Sequence, residues 1–302
     1  MNLLEVASLT EDQSREYFEA IRWPEGAVCP HCKEADCKRM EGKKHRKGCF
    51  QCNNKECRGQ FTVRNGSVLE SSKVPYKKWV LAFHLLCSSK KGFAAKQLQR
   101  ELDLGSYRTA WFMLHRIRHA METQSLEKPL VGIVEVDETF VGGKPRNPGE
   151  SGRGRGTNKQ PVMVLVERDG RAVCGPIQRL TADQLKAPIR KYVGRRAMIM
   201  TDELNAYGGL YAEFGGHETV NHSQKQYARK RTDGLVVHSN TAESFFALVK
   251  RGHYGVYHLM SKPHIHRYCA EFAFRWNYRK QNDGVRRDAL IKQISGKRLK
   301  YA

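Results

Sequence analysis

The alternation of apolar and polar positions divides the chain into three regimes. Through residue 70, apolar residues are scattered among turns and six closely spaced cysteines, the pattern of a short, loop-rich module. Between residues 76 and 121 they recur at helical spacing and predict helices over 77–88, 94–102 and 107–122, with Leu104-Gly105-Ser106 making the last break. Beyond Pro129 the period shortens to that of strands, predicted over 130–141, 161–167 and 172–180. A helix is predicted over 182–193, and Ala197-Met198-Ile199-Met200 reads as a buried parallel strand. The longest apolar run, residues 79–87 with His84 inside it, is far short of the ~20 residues a membrane span needs, so no membrane association is expected.

Charge changes the picture next. The 302 residues carry 53 Lys and Arg against 31 Asp and Glu, a formal +22 spread over both halves. Solubility of a small domain is served by a net charge of roughly 2 to 8, so the excess points to a polyanion, with nucleic acid first in line. At 40% hydrophobic residues the chain can bury a core, which argues against a disordered basic tail and for two or more folded units. The first residues lack the basic and apolar regions of a signal peptide. A reducing cytoplasm is therefore expected, with metal binding a better fate for the nine cysteines than disulfides.

Six cysteines fall within Cys29-Pro-His-Cys32, Cys37 and Cys49-Phe-Gln-Cys52-Asn-Asn-Lys-Glu-Cys57. Two turns that each present two thiolates supply the four-sulfur tetrahedral shell of a structural Zn²⁺. The chosen set is Cys29, Cys32, Cys52 and Cys57; Cys49 could instead pair with Cys52, and His31 or Cys37 could substitute. Interleaved Lys43, Lys44, Arg46, Lys47, Arg58 and Arg64 tilt such a module toward nucleic acid.

In the predicted helix over 107–122, Ala110, Met113, Leu114, Ile117 and Met121 share one face. Arg108, His115, Arg116, Arg118 and His119 lie around the rest. A short glycine-containing turn before a helix with a basic outer face is the arrangement of a helix-turn-helix. Those five residues are accordingly expected to face DNA. Trp111 and Phe112 fall off the apolar stripe and are expected either to pack on a neighbouring domain or to touch DNA.

The strand region carries acids where apolar residues are expected. Asp137 lies within Val134-Glu135-Val136-Asp137-Glu138, and Asp202 follows the buried strand in Met200-Thr201-Asp202. A carboxylate at an apolar strand end is costly alone, whereas several converging on Mg²⁺ are neutralised by it. Glu243, in Asn240-Thr241-Ala242-Glu243, is the third choice, although Asn240 and Glu243 also fit a capping box. Lys250 lies two turns further on the same helix face and suits a DNA phosphate. Glu135, Glu138 and Glu203 stand as substitutes. Two Mg²⁺ or Mn²⁺ ions per active site, roughly 3.5 to 4 Å apart, would serve such acids. The order strand, strand, strand, helix, strand, helix gives an α/β fold class: a ribonuclease-H-like catalytic domain preceded by a zinc ribbon and a helix-turn-helix domain. Boundaries are expected at 1–70 for the N-terminal segment and ribbon, 71–127 for the helix-turn-helix, 128–282 for the catalytic domain and 283–302 for a basic C-terminal tail.

These motifs together resemble a known family, the insertion-sequence transposases of the DDE type with an N-terminal zinc ribbon, the ISXO-like transposases. The resemblance spans nearly the whole chain. It runs through Cys29-Pro-His-Cys32, Cys57-Arg58-Gly59-Gln60-Phe61-Thr62-Val63, Gln97-Leu98-Gln99-Arg100-Glu101-Leu102, Val136-Asp137-Glu138-Thr139-Phe140-Val141-Gly142-Gly143-Lys144, His238-Ser239-Asn240-Thr241-Ala242-Glu243 and Glu271-Phe272-Ala273-Phe274-Arg275-Trp276-Asn277. It implies Mg²⁺-dependent cleavage at the ends of a mobile element and strand transfer into target DNA, with Asp137, Asp202 and Glu243 as the acids and Lys250 as the following base. The implied partners are double-stranded DNA, as terminal inverted repeats and target, and further copies of the chain as a homodimer or higher oligomer on DNA. The implied setting is a bacterial, nucleoid-associated cytoplasmic protein. The second cysteine pair departs from the family's usual Cys-x-x-Cys, since four residues separate Cys52 from Cys57.

Two basic stretches complete the set. The Gly- and Pro-rich run over 142–159 carries Lys144, Arg146, Arg153, Arg155 and Lys159 and is expected to be a mobile loop that orders on DNA. Arg229-Lys230-Arg231 invites the same reading. Two rivals remain. A His-hydrophobe-His nuclease would use Pro263-His264-Ile265-His266 and Tyr268, but Tyr268, Phe272 and Trp276 at four-residue spacing predict a helix, which splays the histidines. A non-catalytic DNA-binding regulator would tolerate loss of Asp137, Asp202 and Glu243.

Overall fold

A computed structural model describes residues 1–42, 44–122, 128–142, 159–224 and 226–300. The chain forms two units, one from residues 1–121 with 280–302 and the other from residues 122–279.

The first unit opens with α1 (Leu3–Ser8) and α2 (Glu11–Arg22), each started by a capping box, at Asn2 with Glu5 and at Thr10 with Gln13. An antiparallel sheet follows, β1 (Cys37–Arg39), β2 (Phe50–Cys52) and β3 (Gln60–Phe61), in the order β1-β2-β3. Trp23, Phe50 and Phe61 pack as mutual neighbours with ring centroids 5.4 to 5.8 Å apart, which gives the small module an apolar floor. Three helices then run close to their predicted extents: α3 (Tyr76–Ser88), α4 (Ala95–Glu101) and α5 (Tyr107–Met121). Phe18 of α2 and Trp79, Phe83, Leu86, Leu98 and Ile117 of these helices are among the buried residues.

The second unit is a five-stranded mixed sheet. It comprises β4 (Ile133–Val141), β5 (Gln160–Glu167), β6 (Ala172–Pro176), then, after α6 (Ala182–Tyr192), β7 (Met198–Thr201) and β8 (Gly216–Thr219). The spatial order is β6-β5-β4-β7-β8; β4 pairs antiparallel with β5 and parallel with β7, and β7 pairs parallel with β8. A hairpin of β9 (Ala228–Lys230) and β10 (Val236–His238) leads into α7 (Asn240–Gly252), and α8 (Ile265–Asn277) closes the unit. Strand alternation sorts the two faces. Val134, Val136, Met163 and Leu165 pack against α6 on one side, while Val162, Val164 and Val166 pack against Phe245, Phe246 and Phe272 of α7 and α8 on the other.

The stretch expected as a basic tail is instead structured. Asp283–Lys292 forms α9, which packs on α2 and α3 in the first unit, with Leu290, Ile291 and Ile294 fully buried. Among the described residues, no helix is long and apolar enough to cross a membrane.

Candidate functional site

Two places gather groups capable of chemistry. In the first unit the turns at residues 29–34 and 52–59 bring four thiols together. Lys33 and Arg58 adopt left-handed backbone conformations that turn the chain back on itself, and Gly59 leaves room that a Cβ would fill 2.9 Å from the His31 ring. The sulfurs of Cys29 and Cys57 are 3.7 Å apart, those of Cys32 and Cys52 3.5 Å, and all four lie within 4.8 Å of one another. A tetrahedral ion with ~2.3 Å bonds to sulfur needs its ligands roughly 3.8 Å apart, so the donor set fits Zn²⁺ in type and spacing. Cys37, Cys49 and His31 lie outside the group; the Cys49 thiol instead approaches Met40 and the Phe50 carbonyl.

In the second unit the candidate site lies where β7 ends beside the middle of β4. The parallel register opposes Ile133 to Met198, Val134 to Ile199 and Glu135 to Met200; continued by two residues it opposes Asp137 to Asp202. Asp137 accepts a hydrogen bond from the Glu138 amide within β4 at 2.8 Å, and Asp202 accepts one from the Leu204 amide in the turn after β7 at 3.1 Å. Tyr207 is completely buried and donates its hydroxyl to Glu138. Burial, then the negative charge of Glu138, Asp202 and Asp137, holds the Tyr207 phenol well above its ordinary value, so one phenol senses all three acids. Glu243 lies in the first turn of α7 and is exposed, as is Lys250 two turns on. That helix packs on β4 and β5, on the sheet face toward which Glu135 and Asp137 alternate. Carboxylate oxygens suit a hard divalent cation. Among the described residues the four thiols are nevertheless the one close group of three or more metal-ligating atoms; Asp137, Asp202 and Glu243 do not form a second.

The three substitute acids have other partners. Glu138 takes the Tyr207 hydroxyl, Glu203 accepts from the amide and hydroxyl of Ser223, and Glu135 is buried against the start of α7. The N-cap of α7 is Ser239 rather than Asn240, so the capping box considered for Asn240 and Glu243 is not how this helix begins.

The basic residues are distributed differently from the expectation. Arg108 is exposed at the start of α5 and His119 is half-buried. His115, Arg116 and Arg118 are buried, at 0%, 8% and 2% exposure, and do not form an outer face. Arg116 donates to the Val68 carbonyl and His115 packs tilted against Trp111, ring centroids 4.0 Å apart; the segment around Val68 covers the Arg116 side of the helix. Arg229 and Arg231 both engage Glu218, leaving Lys230 as the exposed member of that trio. Lys144, Arg146, Arg153 and Arg155 lie outside the described residues. His264 ends a 3-10 turn that runs into α8, so His264 and His266 begin a helix and do not share a strand face.

Comparison with known proteins agrees with this division of the chain. Residues 9–60 match the transposase zinc-ribbon domain, and residues 129–277 match the ISXO2-like transposase domain. Over 292 residues the chain is 30% identical to an uncharacterized protein in transposable element ISH50 of Halobacterium salinarum, an alignment covering 88% of this chain and 91% of that relative. The Drosophila P element transposase strand transfer complex aligns over 76% of this chain and 66% of its own at 11% identity, with a TM-score of 0.28, too slight a likeness to bear on the fold. With its ribbon and its sheet unit each matched, and a relative from a transposable element aligned along most of both chains, this chain belongs to the ISXO2-like transposase family.

Proposed function

We propose that the chain is the DNA transposase of an insertion sequence, which binds the element's terminal inverted repeats, hydrolyses the phosphodiester at the element end and joins the freed 3′-hydroxyl to target DNA. The observation that carries this reading is the β4–β7 register, which continued by two residues sets Asp137, in the middle of β4, opposite Asp202, just past the end of the parallel strand β7. In this reading the second unit is ribonuclease-H-like, supported by three antiparallel strands followed by two parallel ones around β4. Asp137, Asp202 and Glu243 would hold Mg²⁺ or Mn²⁺, two per active site. Bound there, the ions supply charge neutralisation at the phosphate and a more acidic water or 3′-hydroxyl.

The chain's own residues do the rest. Tyr207 donates its hydroxyl to Glu138 and stays neutral, since burial and the neighbouring negative charges oppose its ionisation. Lys250, exposed on α7, grips a DNA phosphate, with exposed Lys230 a further phosphate contact in the same unit and exposed Arg108 one in the first unit. The ribbon, tied by a structural Zn²⁺ at Cys29, Cys32, Cys52 and Cys57, and the helices α3 to α5 read the element ends, with two or more copies assembling on the DNA. Purified protein with Mg²⁺ and a fragment carrying the element's end is expected to nick at the boundary. Asp137→Asn is expected to bind that fragment as wild type does and cut nothing; cleavage by this variant at the wild-type rate would remove the proposed metal site.

A further inference from the structure

We propose that Glu135 and Arg168 are positioning residues, which fix the first turn of α7, and with it Glu243, to the strand that carries Asp137. The inference rests on the metal-binding role proposed above for Asp137, Asp202 and Glu243.

Glu135 precedes Asp137 by two residues, so strand alternation turns both side chains to the same face of the sheet. It is completely buried and surrounded by donors. Its Oε2 accepts the amide hydrogens of Thr241 at 2.7 Å and Ala242 at 3.1 Å, and its Oε1 accepts from the Thr241 hydroxyl at 2.9 Å and from Arg168 Nε at 2.6 Å. His238 Nδ1 lies 3.2 Å from the same oxygen. The amides of Thr241 and Ala242 are the second and third of α7, those that an N-cap side chain ordinarily satisfies. The side chain of Ser239, at the N-cap, does not cap the helix, so the cap is supplied by a different element. A cap within the helix's own sequence would fix only its local conformation. One projecting from β4 also fixes where the helix starts relative to β4, and its charge favours the positive end of the helix dipole.

Arg168 completes the joint from the other side. Its Nη1 donates to the Val236 carbonyl at 2.8 Å and its Nη2 to the His238 carbonyl at 3.1 Å, both in β10 immediately before α7. The ion pair therefore holds the residues on both sides of the β10–α7 junction. Stability alone does not call for charge here, because well-packed apolar residues commonly replace a buried ion pair without loss. Such residues could not bond the amides of α7 and the carbonyls of β10.

The test uses the full-length protein and two readouts: Mn²⁺ binding followed by electron paramagnetic resonance without DNA, and amide exchange at Thr241 and Ala242. Glu135→Gln is expected to weaken Mn²⁺ binding about tenfold or more, the scale seen when an outer-shell partner of a metal ligand is lost, and to speed exchange at both amides. Because the effect runs through Glu243, Glu135→Gln combined with Glu243→Gln is expected to bind no more weakly than Glu243→Gln alone. Wild-type affinity in Glu135→Gln, or additive losses in the pair, would overturn the proposal. If Glu135→Gln fails to fold, Arg168→Lys keeps the charge pair yet loses the two carbonyl bonds; it is expected to weaken Mn²⁺ in the same direction, and wild-type affinity there would equally overturn it. Asp137→Asn separates the two levels. Intact Mn²⁺ binding in that variant removes the metal site and the positioning role together, whereas binding lost in Asp137→Asn but kept in Glu135→Gln removes the positioning role alone.

Discussion

Arg116 of α5 donates to the carbonyl oxygen of Val68 at 3.0 Å, with its guanidinium 4.6 Å from the centre of the Phe112 ring. A side chain whose position on the helical wheel suggested contact with DNA is thus a bracket inside its own unit. Removing it leaves a buried carbonyl without its donor and a ring without its cation.

Arg116→Ala is therefore expected to cost about 2 to 4 kcal/mol of stability in the first unit, while Arg108→Ala, on the exposed start of the same helix, stays within about 0.5 kcal/mol. Urea unfolding of the two variants side by side measures the difference. Equal, small shifts would mean that the bracket contributes nothing.

The sulfur geometry predicts one zinc ion per chain. Cys29→Ser or Cys57→Ser should abolish zinc in the purified protein, measured by atomic absorption, while Cys37→Ser and Cys49→Ser retain it. Loss of zinc in the Cys49 variant would move the second pair of ligands to Cys49 and Cys52.

Acid should loosen the first unit through His84. Its Nδ1 accepts a hydrogen bond from Arg287 at 3.2 Å, and burial, followed by the Arg287 charge, holds the imidazole below its ordinary value. The unfolded chain takes up a proton near pH 6.5 that the folded unit resists, so this contribution is present above that pH and lost as the pH falls through it. Lowering the pH from about 7.5 to about 5.5 should reduce the unfolding midpoint more in wild type than in His84→Gln. Parallel pH profiles would exclude His84 as the source.

Arg229 and Arg231 share Glu218, which makes Lys230 the cation of the hairpin most available to phosphate. Lys230→Ala is expected to lower the slope of log affinity against log salt for DNA by about one, with Arg229→Ala leaving it unchanged. The reverse ranking would show that Glu218 releases its arginines to DNA.

Strongly periodic segments were legible in the sequence. The helices over 76–121, the strand carrying Asp137 and the strand that ends before Asp202 stand where their apolar spacing predicted them, and acids in and beside apolar strands flagged themselves by the cost of burying them alone. The burial of α5 was not legible, because the groups that cover it come from far along the chain: the Val68 carbonyl on one side, and Lys297, whose ammonium donates to the Ala120 carbonyl. Basic residues also disguised α9, although Arg287, Leu290, Ile291 and Ile294 recur at helical spacing. Glu135 was concealed by its resemblance to a catalytic acid. The usable signal was its parity with Asp137, which assigns both to the face that α7 covers.

The place of α9 has a consequence for how the protein comes into being. Helices α2 and α3 are made early, yet the helix that packs on them follows the entire sheet unit in the chain. Contacts this distant in sequence form late, because the intervening chain must first be made and its ends brought together. On the ribosome, the unit begun first is therefore finished last. Until residues 283–294 emerge, the surface that receives Leu290 and Ile291 has nothing to cover it, so the native packing of the ribbon-bearing unit is withheld until the sheet unit has already been synthesised.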